Sequence, residues 1–111
     1  MDKNPRNRHG KTPFHEAAKE GNYKVCKLII ENVQDKNPRD NRGVTPLHKA
    51  AAYGHKKVCA LIVKKAGKKN PVNDNGKTPY DYALENCYPK ICKFLAVDER
   101  LPFKTKRLKR Y

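Results

Sequence analysis

Four histidines and four cysteines carry the side chains of this 111-residue chain that could do chemistry: His9, His15, His48 and His55, and Cys26, Cys59, Cys87 and Cys92. An imidazole can move a proton or hold a metal near neutral pH, and a thiolate can attack or ligate. Each use demands company at fixed spacing. A general base needs an orienting partner and a cleft, and a zinc site needs its ligands in clustered pairs. Cys87 and Cys92 form a Cys-x4-Cys with no second pair at zinc spacing, so the pattern gives no metal site. The chain has no Gly-rich phosphate loop, no His-Glu-x-x-His, no nucleophile elbow and no repeated pair of carboxylates. Glu16, Glu20 and Glu85 read as solvated charge on helix faces. No catalytic residue and no cofactor is expected.

The elements that must position these groups explain why two histidines look alike. Thr12-Pro13-Phe14-His15, Thr45-Pro46-Leu47-His48 and Thr78-Pro79-Tyr80-Asp81 begin at 12, 45 and 78, a period of 33. Lys-Asn-Pro returns in step at 3, 36 and 69, as do Gly10, Gly43 and Gly76. Val25, Val58 and Ile91 keep the register, with Leu28, Leu61 and Phe94, and Cys26, Cys59 and Cys92. The chain is therefore three units, about 3–35, 36–68 and 69–101, and such a period marks a stacked array.

Each unit reads as turn, helix, break, helix. The Asx-rich stretch before the glycine is a turn, Thr is the N-cap, and Pro takes the first helical position, where a missing N–H costs nothing. Helices are expected over Phe14 to Glu20, Leu47 to Tyr53 and Tyr80 to Asn86, with Gly21 and Gly54 as stops. The second helix carries its apolar positions at helical spacing, as in Val58, Leu61 and Ile62 beside Lys57 and Lys64. A single helix pair cannot bury that stripe, so the units must lie against one another. Along the cysteine ladder the rungs stand a helix-packing distance apart, about 8 to 10 Å, too far for a disulfide. Small buried thiols are expected there.

The phrase GxTPLHxAAxxGH followed by a helix with VCxLI, carried in order by residues 39–70, resembles the ankyrin repeat over roughly residues 3–98. The resemblance implies an all-α solenoid of three helix-turn-helix units with β-turn tips, as an ankyrin-repeat domain over 1–100 followed by a basic tail at 101–111. The third unit departs from it: Asp81 replaces histidine, and Cys87-Tyr88-Pro89 replaces the Gly-His break. That unit is similar to the capping repeats that close such arrays, so the array is expected to end there. The family likeness also makes Thr12, His15, Thr45, His48 and Thr78 structural brackets around the helix starts, and it makes the face built from turn tips and first helices the binding surface. Carried over by position, the contact residues expected there are Arg6, Arg8, His9, Lys11, Lys19, Arg39, Asn41, Arg42, Val44, Tyr53, Asn75 and Lys77, with Tyr53 as aromatic anchor.

Charge points to the partner. Twenty-six Lys and Arg stand against 11 Asp and Glu, a net charge of +15, more than solubility requires. Lys104, Lys106, Arg107, Lys109 and Arg110 make the tail purely basic. The reading is a non-enzymatic binding module that recognises an acidic protein, acting as a monomer or inside a larger assembly. The alternative is an RNA- or ribonucleoprotein-associated protein whose outer lysines and tail touch phosphates. No apolar leader or spanning window is present, no membrane partner is expected, and free thiols fit a reducing compartment, so the expected location is cytoplasmic or nuclear.

Overall fold

The computed structural model describes residues 5–96. Six helices follow one another: α1 Pro13–Glu20, α2 Tyr23–Asn32, α3 Pro46–Ala52, α4 Lys56–Ala66, α5 Pro79–Glu85 and α6 Pro89–Leu95. No strand occurs among the described residues. Helices α1 and α2, α3 and α4, and α5 and α6 form antiparallel pairs. The inner helices α1, α3 and α5 pack in sequence, as do the outer helices α2, α4 and α6.

Every inner helix starts the same way. Thr12, Thr45 and Thr78 stand in extended conformation as N-caps, and proline opens the helix. The threonine hydroxyl accepts from the backbone N–H three residues on, at 3.3 Å for His15 and His48 and 3.2 Å for Asp81. The third-residue side chain then accepts from the threonine N–H, which closes a reciprocal capping box. Asp81 serves in the box as well as histidine because the box needs only an acceptor. Helices α3 and α5 end one residue earlier than expected: Tyr53 and Asn86 are caps with ψ of 6° and 7°. The reversal that follows uses Gly21 and Gly54 in the left-handed region, whereas the third unit puts Cys87 there at φ 62°.

Turn tips are joined edge to edge. Asn41 N–H donates to the His9 carbonyl at 3.0 Å, and Asp74 N–H to the Arg42 carbonyl at 2.9 Å. Behind them runs one core through all three pairs, with Phe14, Ile30, Leu47, Ile62 and Leu95 fully buried. The periodic register fails at one end. Val58 and Leu61 are 1% and 6% exposed, but their counterparts Val25 and Leu28 are 39% and 65% exposed. Helix α4 packs against both α2 and α6, whereas among the described residues no helix pair precedes α1 and α2.

Candidate functional site

Of the four histidines, His15 and His48 are held at both ring nitrogens. His15 Nδ1 accepts from Thr12 N–H at 3.0 Å, and its Nε2 lies 2.7 Å from the Val44 carbonyl of the next unit. A carbonyl only accepts, so the proton sits on Nε2 and the ring is neutral. His48 repeats the arrangement, with Thr45 N–H at 3.1 Å and the Lys77 carbonyl at 2.9 Å. Burial pulls both rings below the usual histidine range, against the pull of those carbonyl bonds. Neither ring has a nitrogen left for a substrate. His55 reaches back through Nε2 to the Lys19 carbonyl at 2.8 Å and so ties the second unit to the first.

The cysteines divide by burial, with Cys87 exposed. Cys26 and Cys59 are buried, and burial pushes their thiols up to about 11 and about 12. Thiolate chemistry is therefore closed to them near neutral pH. Burial also raises the half-buried Cys92, with nearby Cys87 adding to it. Among the described residues no group of three or more His, Cys, Asp or Glu could hold a metal.

What the fold does build is an open cleft of about 780 Å³ between the turn tips and the inner helices. His9, Lys11, Asn41, Arg42, Val44, Tyr53 and Asn75, singled out in the sequence, all line it. Tyr53 is 48% exposed, with the Lys19 ammonium 5.6 Å above its ring. Other singled-out cations have internal work. Arg6 donates to the Gly10 carbonyl at 2.9 Å and to the Arg39 carbonyl at 2.7 Å. Arg39 donates to the Val72 carbonyl, so two arginines staple successive tips. Lys77 pairs with Glu85 at 2.6 Å, which raises the lysine's pKa through hydrogen bond and charge. Glu85, read as simply solvated, is thus engaged. Arg8 is exposed in the first tip, and its carbonyl accepts from Asn41 at 3.1 Å. The basic residues 104–110 lie outside the described residues.

The cleft also contains residues the sequence reading passed over: Asp40, Lys49, Tyr82 and Tyr88. Lys49 and Tyr82 occupy the repeat position of Glu16, on the inner helix one residue beyond the capping-box partner. That shared register was the available signal; the varied residue types, acid, base and aromatic, hid it.

Turn tips joined in a row, bracketing histidines and a cleft along the inner helices agree with the comparisons. A family model described as ankyrin repeats in three copies matches residues 27–105, and one described as ankyrin repeat matches 9–41. The chain belongs to the ankyrin repeat family. A search of the curated proteins found no match. Ankyrin repeats are in general protein–protein interaction modules. Among the described residues of this ankyrin chain no helix is long and apolar enough to cross a membrane.

Proposed function

We propose that this ankyrin-repeat chain is a non-enzymatic adaptor whose cleft grips an acidic segment of another protein. The observation that carries the reading is the charge inside the cleft. Lys11, Arg42 and Lys49 line it, while its acids are engaged: Asp40 caps the Arg42 and Val44 N–H groups at 2.8 and 2.9 Å, and Glu85 holds Lys77. Tyrosine beside exposed cation is the composition of an interface centre, where an aromatic anchor and charge complementarity combine. Arg8, His9, Lys11, Lys19, Asn41, Arg42, Val44, Tyr53 and Asn75 are the contacts we assign to the partner. Arg6, Arg39 and Lys77 shape the tips.

A second reading has its own support. Lys24, Lys27, Lys56, Lys57, Lys64, Lys65, Lys90 and Lys93 are all exposed on the outer helices, where they would attract RNA phosphates. The deciding experiment is binding of the purified protein to total RNA and to a protein extract at low and physiological salt. The adaptor reading expects a retained protein partner at physiological salt, weakened by Arg42→Ala and Tyr53→Ala, with RNA binding lost. Retained RNA binding that is abolished by replacing outer lysines, with no protein partner, would reject it.

A further inference from the structure

Three cations line the cleft without an ion pair among the described residues, Lys11, Arg42 and Lys49; Arg42 is exposed, while the two lysines are part-buried. Arg6, Arg39 and Lys77 are engaged by carbonyls or by Glu85, but Lys11 and Lys49 make no ion pair among the described residues. Lys49 is half-buried on α3, an expensive place for an unmatched ammonium. Lys11 and Lys19 add like charge around it, offset in part by Asp40 and Glu16; burial and those two lysines pull its pKa down. Asp40 and Glu16 act on Lys49 without forming an ion pair with it, so both lysines are left to take an anion from a partner.

Next to this charge lies apolar surface. Tyr53 stands four residues beyond Lys49 on the same helical side, and Tyr82 and Tyr88 line the same cleft. The Lys19 ammonium covers one face of the Tyr53 ring at 5.6 Å, which fixes the ring as a platform. Lysine and tyrosine in one cleft call for two adjacent features in the ligand.

We propose that Lys11 and Lys49 seat one side-chain carboxylate of the partner, and that Tyr53 packs the aromatic or aliphatic side chain beside it. The recognised element is an acidic residue next to an apolar one in a peptide segment. This rests on the adaptor reading above and narrows it, since a merely cationic face would accept any acidic chain equally.

The test uses the full chain and two labelled synthetic peptides of equal charge, one of Glu-Phe pairs and one with serine replacing each phenylalanine, at physiological salt. The Glu-Phe peptide is expected to bind about tenfold tighter than its serine counterpart. Lys49→Met is expected to weaken the Glu-Phe peptide about tenfold, whereas Lys64→Met on the outer helix leaves it unchanged. Lys11→Met, on a turn tip, repeats the measurement without touching a helix, and circular dichroism melting checks that each variant folds. If the peptides bind but neither lysine variant weakens them more than Lys64→Met, the seat is wrong and the acidic-partner reading stands. Equal binding of both peptides also rejects the seat. If neither peptide binds and an RNA oligomer does, both readings fall together.

Discussion

His15 and His48 show how a residue with catalytic capacity becomes a rivet. Each ring accepts from its own threonine N–H and donates to the next unit's carbonyl, so its neutral form is part of the joint between units. Protonation would remove the acceptor at Nδ1, and burial opposes it, which lowers both pKa values from 6.5. The sign follows: the unfolded chain binds these protons more readily, so the contribution to stability is complete above about 6.5 and is lost as pH falls through the lowered folded values. Thermal melts between pH 7.5 and 5 should show a falling midpoint, with a shallower slope in the His15→Gln, His48→Gln double variant. Equal slopes would mean that other groups carry the acid sensitivity. The sequence made these histidines legible because they recur, and a recurring residue belongs to the frame. It left Lys49 illegible, because that position holds a different residue type in every unit.

At the scale of the helix, identical register does not mean identical burial. Leu61 is 6% exposed and Leu28 is 65% exposed, although both occupy the same place in the 33-residue period. Removing the Leu61 side chain leaves a cavity between α4 and its neighbours, so Leu61→Ala should cost about 2–5 kcal/mol. Leu28→Ala should stay within about 0.5 kcal/mol, since water already reaches that side chain. Urea unfolding of the two variants decides it, and equal losses would mean that Leu28 is covered in solution. Helix starts were readable to the residue from Thr-Pro, because cap and first turn are local chemistry. Their ends shifted by one, because Tyr53 and Asn86 take cap geometry to suit the reversal toward the next helix.

Across the whole molecule, the chain carries a net charge of +15, and its described helix pairs share one core. Long-range attraction between this charge and an acidic partner acts on encounter more than on residence. Raising salt from about 20 to about 200 mM should therefore slow association with the acidic partner proposed above steeply while dissociation changes little, read by surface plasmon resonance. A dominant change in dissociation would place the charge pairs in the buried centre of the contact.

The sequence alone determined the repeat, the capped helices and the need to stack, because each follows from local geometry and from a stripe too wide for one pair to bury. It could not say which cations are available. Arg6 and Lys11 are five residues apart in the same tip, yet one holds a carbonyl 33 residues away and the other faces the cleft. That division depends on how one unit sits against the next, a distance written in no single repeat. Only the tertiary structure put Lys11, Lys49 and Tyr53 on one cleft, and only it left Leu28 exposed where Leu61 is buried.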